Sequence, residues 1–433
     1  LKAVIGVRRE DKNLWERRAP LTPDQVECLI RAHGIEVCVQ PSEQRIFADD
    51  AYRRAGAKVE EDLSRCQTVL AIKEIPLHFY QERQTYLFFS HTVKGQARNM
   101  PILKRMMAKR CQLIDYERIV DDQGRRLVLF GRHAGLAGMI ETLVAFGQRL
   151  AAEGIETPFA RLRQPYQHAD LDEAKAHLRE VGRSIAAEGL PEAVVPCVIG
   201  ILGYGNVARG VREILHCLPV EEVEPRMLSR LPRSNRLLYA VVFREEDTVE
   251  PIDPSSPFSL PDYFRNPERY RAIVSHHLPY CTVVVNAVYW EKRFPRLVTR
   301  EDMENLYRRQ KTPALRVIGD ITCDVEGAVE ITRKATTPGD PCFTYDTAID
   351  RIVDGVRALP GPVVMAVDNL PCEFPAESSR DFGLALLPFL PAIAQADFTR
   401  PFEAIELPEP IRRAALLHQG TLTPRYRYLE RYF

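Results

Sequence analysis

Val198-Ile199-Gly200-Ile201-Leu202-Gly203-Tyr204-Gly205-Asn206-Val207-Ala208-Arg209-Gly210 is the stretch that decides the fold. Its apolar start reads as a buried strand, and Gly203, Gly205 and Ala208 then fit G-x-G-x-x-G/A at the opening of a helix. Gly203 permits the tight turn, Gly205 lets backbone approach a pyrophosphate, and Ala208 keeps strand and helix close. The helix N-terminus at Asn206, Val207 and Ala208 offers its free N–H groups to an anion. A glycine pattern alone also suits an ordinary strand–helix turn, but in this setting it predicts a dinucleotide-binding domain.

The acidic residue that grips the ribose of NAD is expected ~20 positions further on. Glu221, Glu222 and Glu224 lie in that region, but the strand end falls near Pro225-Arg226. An arginine there suits the 2′-phosphate of NADP, so Arg226 favours NADPH, with NADH as the alternative.

Outward from the glycine turn, further strands read at Tyr239–Phe243, Thr282–Asn286, Val317–Asp320 and Val363–Val367. Pro251 to Pro267 reads as a loop. Upstream, strands read at Ala3–Val7, Val37–Val39, Thr68–Ile72, Tyr86–Phe89 and Gln112–Ile114. Thr22-Pro23-Asp24 supplies an N-cap and a first-turn proline for a helix that Gly34 stops, with Val26, Leu29 and Ile30 on one face. A long helix is expected from Ala137 to Glu153. The polar Pro158–Pro191 stretch reads as surface connection holding a helix near Leu171–Ala186. After Pro371 come one helix near Glu377–Leu390 and a Pro-punctuated tail.

Strands alternating with helices predict an α/β protein. The expectation is two Rossmann-like domains, each with a mostly parallel sheet, and an active-site cleft between them. Residues 1–136 and 370–433 would form a substrate (catalytic) domain, and residues 137–369 the dinucleotide-binding domain.

The bulk numbers agree with such a protein. A chain of 433 residues exceeds one ordinary hydrophobic core. Lys+Arg and Asp+Glu balance at 59 each, which gives no reason to expect a nucleic-acid or membrane surface. The ten cysteines occur singly, without C-x-x-C, so no metal site and no disulfide framework are expected. No apolar run approaches the ~20 residues of a membrane helix. Leu1-Lys2-Ala3-Val4-Ile5 reads as a buried strand rather than a signal peptide, and a start at Leu reads as a processed or excised segment.

In the first domain, ionisable residues gather after strands. Arg17-Arg18 follow the first, Lys73-Glu74 end another, His91 and Lys94 follow Phe88-Phe89-Ser90, and Glu117 follows Ile114-Asp115. Each alone reads as a solvated or bonded loop residue. Together they mark one sheet edge, and open α/β sheets bind ligands outside the carboxyl ends of their strands.

Whole strings then resemble a known family. Trp15–Pro23, Lys73-Glu74-Ile75-Pro76, Phe89–Lys94, Leu113–Glu117, Phe130–Ile140, Asn286–Trp290, Asp320–Asp324 and Val367–Pro371 look like the lysine–ketoglutarate reductase half of aminoadipic semialdehyde synthase. They are similar, more distantly, to lysine-forming saccharopine dehydrogenase and alanine dehydrogenase. The likeness weakens at Pro158–Pro191 and around Arg226–Arg236.

The resemblance implies an NADPH-dependent oxidoreductase of the CH–NH group that condenses lysine with 2-oxoglutarate and reduces the imine to saccharopine, in lysine degradation. It implies that Lys73 and His91 are the acid–base pair and that Glu74 and Glu117 set their protonation. Arg18 would clamp the 2-oxoglutarate carboxylate, with Lys94 as a second substrate cation. Asn286, Ala287, Asp320 and Asp324 would lie near the nicotinamide end of the coenzyme, although a helix N-cap reads nearly as well for Asp324.

Expected partners are the two small substrates, a fused or separate glutamate-forming saccharopine dehydrogenase module, and further copies of the chain. The expected place is cytoplasm for a bacterial chain and mitochondrial matrix for an animal one. Three alternatives stay open: an alanine-dehydrogenase-like enzyme, the lysine-forming reverse reaction, and a non-catalytic NADP(H)-binding or regulatory module. Assay with lysine plus 2-oxoglutarate against pyruvate plus ammonia separates the first from the rest.

Overall fold

Short apolar runs become strands wherever a helix or turn signal follows them. In chain order these are β1 (Val4–Val7), β2 (Glu36–Val39), β3 (Lys58–Val59), β4 (Thr68–Leu70), β5 (Thr85–Phe88), β6 (Gln112–Asp115), β7 (Cys197–Leu202), β8 (Val220–Val223) and β9 (Leu238–Phe243). There follow β10 (Val249–Pro251), β11 (Tyr270–Ala272), β12 (Val283–Asn286), β13 (Val317–Asp320), β14 (Cys342–Asp346), β15 (Arg351–Asp354), β16 (Val363–Met365), β17 (Ala415–His418) and β18 (Thr421–Leu422). The computed structural model describes residues 2–310 and 312–433, so the part of the first expected strand at Leu1 lies outside the described residues.

The chain divides into two units, Leu1–Phe130 with Pro375–Phe433, and Gly131–Phe374. Each holds one eight-stranded sheet. The expected α/β class, with two mostly parallel sheets, is what the structure has. Its boundaries fall several residues from the expected 136/137 and 369/370, because the first helix of the second unit begins earlier than its apolar pattern does.

In the first unit the sheet order is β18-β17-β6-β5-β4-β1-β2-β3. Strands β6 to β3 in that order run parallel, while β17 pairs antiparallel with β6 and β18 with β17. The chain passes outward from β1 to β2 and β3, then restarts at β4 on the other side. The switch point therefore lies between β1 and β4. The expected helix runs Pro23–His33, with a Thr22 capping box and Gly34 in the left-handed conformation at its end.

In the second unit the order is β15-β14-β16-β13-β12-β7-β9-β8, with β16 to β8 parallel and β14 and β15 antiparallel at one edge. Its switch point lies between β7 and β12. The strand beside β7 on the other side is β9, the later of the two, and β8 is the outer edge.

Several sequence expectations change. The long helix spans Gly131–Ala152 rather than starting at Ala137, and Gly135 within its start is a packing residue, not a breaker. A Cβ at Gly135 would sit 1.9 Å from the Val207 carbonyl oxygen, so only glycine lets this helix lie against the Asn206–Leu215 helix. The Pro158–Pro191 connector is not mere surface. Its Leu171–Glu188 helix sinks Leu178, Val181 and Ile185 into the core of the second unit. The Pro251–Pro267 loop contains a short helix, Leu260–Arg265. The expected late helix splits into Pro375–Leu386 and Leu390–Gln395, and the tail beyond returns as β17 and β18. Among the described residues no helix is long and apolar enough to cross a membrane.

The second unit also buries two carboxyl groups against each other. Glu141 and Glu373 are both almost wholly enclosed, and the Gln164 amide donates to Glu141 at 3.1 Å. Burial raises both carboxyls above the ordinary range, and at Glu373 the neighbouring Glu141 raises it further. Groups raised on folding stabilise the protein while protonated and lose that contribution as pH rises above the unfolded carboxylate value. Hence the second unit should weaken between pH 6 and 8 by about 1 kcal/mol or more, since a tenfold change in acid dissociation corresponds to about 1.4 kcal/mol. Glu373→Gln should flatten that dependence. Urea unfolding followed by Trp290 fluorescence in a Trp15→Phe background measures it, and an unchanged slope would refute the raised carboxyls.

Candidate active site

Residues that follow β1, β4, β5 and β6 come to one edge of the first sheet, because those neighbouring strands are parallel. Lys73 and Glu74 follow β4 at the switch point. Glu10, three residues past β1, turns its buried carboxylate onto the end of β4. It accepts the N–H of Ile72 at 2.6 Å and that of Lys73 at 2.9 Å. Burial, with Glu16 nearby, pushes Glu10 up to about 7 against the pull of those two N–H groups and of Arg8.

Glu74 bonds His91 Nδ1 at 2.8 Å and the Lys12 ammonium at 2.8 Å. Burial opposes its ionisation, but His91 and Lys12 outweigh that and hold the carboxyl well below the usual range. An ionised Glu74 can only accept. The shared hydrogen therefore belongs to Nδ1, and Nε2 is the His91 atom left to take or give a proton. His91 has φ of 51°, a left-handed backbone costly for a non-glycine residue.

The loop holding His91 is fixed from below by Asp115, the last residue of β6. Asp115 accepts from Ser90 Oγ, from Ser90 N–H at 3.2 Å and from Glu117 N–H at 2.8 Å. Burial pushes this carboxyl up to about 6 despite those donors. One carboxylate thus ties the β5 loop to the β6 loop.

Arg18 is buried, with Nε and Nη2 on the Glu16 carboxylate at 2.7 and 2.6 Å. Its guanidinium also stacks 4.2 Å over Phe130. Phe130 packs on Phe89, which stacks with His91. Arg18, Glu74 and His91 therefore belong to one connected cluster, and Lys73 adjoins it in the chain, next to Glu74. The guanidinium fork expected for a substrate carboxylate has one edge committed to Glu16. Two candidates sit apart. Glu117 is turned to Arg126, and Lys94 is exposed on the following loop.

Nothing in periodicity marked Glu10, which reads like its neighbour Asp11. Asp115 carried a clearer signal, a charge at the last position of an apolar run. Lys12 and Glu16 gave none, because their partners lie on another element or in an unread turn.

In the second unit Gly203 has φ of +94°, and a Cβ there would press on Val288 and the Ala287 carbonyl oxygen at 3.0 and 3.2 Å. At Gly205 a Cβ would meet nothing within 4 Å. The turn is thus open in front of the Asn206–Leu215 helix, whose first residues are Asn206, Val207 and the buried Ala208. That cradle fits a pyrophosphate, which would sit on the helix N-terminus.

Across the switch point Asn286 ends β12 and Ala287 follows it. Asn286 gives its amide to Asp320 at 2.8 Å and Thr322 at 2.9 Å. Asp320 is buried and also accepts from Thr332 at 2.6 Å, so it fastens strand ends rather than facing out. Asp324 is exposed in the turn after β13. Arg226 lies beyond the edge strand β8, 81% exposed in its side chain and paired with Glu224. It is not beside the glycine turn, because β9 intervenes.

Comparison with known proteins bears out the resemblance. Residues 6–137 match the family described as alanine dehydrogenase/PNT, N-terminal domain. The chain is 37% identical to alpha-aminoadipic semialdehyde synthase of Arabidopsis thaliana over 99% of its own length and 41% of that protein. It is 26% identical to saccharopine dehydrogenase [NAD(+), L-lysine-forming] of Emericella nidulans, covering 93% of this chain and 95% of that one. A solved L-alanine dehydrogenase superposes with TM-score 0.63 at 18% identity, over 99% of both chains, and shows the same fold. The chain spans less than half the length of the synthase it matches. Residues 6–137 thus resemble the N-terminal domain of the alanine dehydrogenase/PNT family, and the chain as a whole is similar to the alpha-aminoadipic semialdehyde synthases and, more distantly, to lysine-forming saccharopine dehydrogenase.

Proposed function

We propose that the chain is a lysine–2-oxoglutarate reductase, condensing L-lysine with 2-oxoglutarate and reducing the imine to saccharopine with NADPH. The observation that carries this reading is the cluster at the first unit's switch point, where the Glu74–His91 pair and Arg18 are joined through Phe89 and Phe130 and Lys73 adjoins Glu74 in the chain. The names of the matched relatives supply the substrate class.

Three chemical problems meet three sets of residues. The lysine substrate must lose a proton from an amine whose free pKa is about 10.4 before it attacks the ketone. His91 Nε2, with Nδ1 held by ionised Glu74, is the atom that takes or returns such a proton. Lys73, its backbone pinned by Glu10, is the second proton carrier as the carbinolamine forms and loses water. Arg18 presents the guanidinium expected for a carboxylate of the oxoacid, against the counter-charge of Glu16.

The coenzyme, when bound at the Gly203–Ala208 turn, supplies the hydride that reduces the imine carbon. The second unit's own residues orient it: the open turn, the helix N-terminus and the Asn286–Asp320 link that fixes the opposite lip.

The whole-length likeness to an NAD(+)-dependent, lysine-forming enzyme favours a second reading, the same chemistry run toward lysine. Following NADPH and NADH oxidation in parallel, with lysine plus 2-oxoglutarate and with pyruvate plus ammonia, decides among these. NADPH oxidation that needs both lysine and 2-oxoglutarate is expected, and its absence with every pair would remove the reading.

Lys73→Met and His91→Gln should each lower kcat roughly 10²- to 10⁴-fold with NADPH affinity unchanged. Wild-type turnover in both would end the acid–base assignment. Arg18→Lys keeps charge beside Glu16 but loses the fork, so the oxoacid should need a concentration about tenfold higher for half-saturation, and lysine little more than before. Equal changes for the two substrates in steady-state kinetics would count against the clamp. Glu10→Gln sets an amide NH2 against one of two backbone N–H groups, so kcat should fall about tenfold while NADPH affinity holds. An unaltered kcat in a normally folded variant would show that pinning Lys73 is irrelevant to turnover.

A further inference from the structure

The order of strands in the second unit decides which side chain meets the adenosine end of a coenzyme. A pyrophosphate on the Gly203–Ala208 turn leaves the adenosine ribose toward the strand beside β7, away from β12. The ribose 2′-position then meets the residue just past that strand's end. In the usual order that strand is the next one in the chain. Here it is β9, with Leu202 paired to Phe243 and the Gly203 N–H donating to the Phe243 carbonyl at 3.0 Å. Strand β8 lies one position further out, a spacing of about 4.8 Å.

We propose that Arg244, directly after β9, is the residue that reads the 2′-phosphate of NADP(H), and that Arg226 is not. The proposal rests on the coenzyme reading above and names its specificity determinant. The Arg244 guanidinium lies 4.9 Å over the ring of Tyr204, the residue between the two turn glycines. Its cation is thereby held at the lip of the turn. It borders the depression formed by the ends of β8 and β9, and among the described residues it forms no ion pair.

Of the neighbouring charges, exposed Glu246 also lines this depression, and the others are engaged elsewhere. Glu222 is held by Arg212 through two bonds of 2.8 Å, and Arg226 by Glu224. Asp247 accepts the backbone N–H of Arg244 at 2.9 Å, and Glu245 lies 3.4 Å from the Tyr204 hydroxyl. A cation without a carboxylate partner, at the place a 2′-substituent occupies, suits a phosphate better than a hydroxyl.

Fluorescence titration of NADPH and NADH against the full chain and its Arg244→Ala and Arg226→Ala variants tests this. Arg244→Ala should weaken NADPH roughly 10- to 100-fold and NADH less than threefold, since only NADPH carries the phosphate. Arg226→Ala should leave both within twofold. A loss specific to NADPH in Arg226→Ala, or equal losses of both nucleotides in Arg244→Ala, would overturn the assignment while leaving dinucleotide binding intact. A wild-type chain that binds NADH in preference to NADPH would overturn it together with the NADPH reading, and would point to Glu245 beside it. Binding of neither nucleotide would remove the proposed function itself.

Discussion

A parallel strand ends by leaving its last peptide groups at a sheet edge, and in the first unit two buried carboxylates take up those groups. Glu10 receives the N–H groups of Ile72 and Lys73, and Asp115 those of Ser90 and Glu117. Without them the loops after β4, β5 and β6 would carry unsatisfied donors in a dry environment, at a cost of about 1–3 kcal/mol for each group. With them, Lys73 and His91 leave the sheet at fixed points, and Glu74 can meet His91 through one bond. The left-handed backbone at His91 fits this picture, since a strained residue persists only where its neighbours over-determine it.

The second unit solves a different problem, close approach of backbone. Gly203 and Gly205 clear the front of a helix, and Gly135 and Gly210 clear its flank. A Cβ at Gly210 would come within 2.1 Å of the Arg132 carbonyl oxygen. The helix that offers its N-terminus to an anion is therefore locked against the Gly131–Ala152 helix by glycine contacts. Asn286, Asp320 and Thr332 lock the facing strand ends by hydrogen bonds. The groups proposed to bind in each unit stand at its switch point, where the chain leaves one half of the sheet for the other and a crevice opens.

Much of this was legible in the amino-acid sequence because it is local. Thr22 and Gly34 bound their helix as written, and the turn at Gly203 needed no more than its own residues and the strand before it. The clustering of Arg18, Lys73, Glu74 and His91 followed from one rule about strand ends. What stayed hidden depends on pairing between distant segments. Glu117 stood at the right edge but turned to Arg126, and a glycine-rich start concealed six residues of the long helix.

By itself, then, the sequence determined the α/β class, the strand–turn–helix that can cradle a pyrophosphate, and the edge that gathers the ionisable groups. Periodicity, caps and glycine spacing act over a few residues, so they are written in order along the chain. Tertiary structure alone decided that β9 and not β8 flanks the glycine turn and that the tail closes the first sheet. It alone set Glu10 beneath Lys73 and Glu141 against Glu373. Those outcomes depend on which hydrogen-bonding edges and buried surfaces meet in space, and no local pattern encodes that choice.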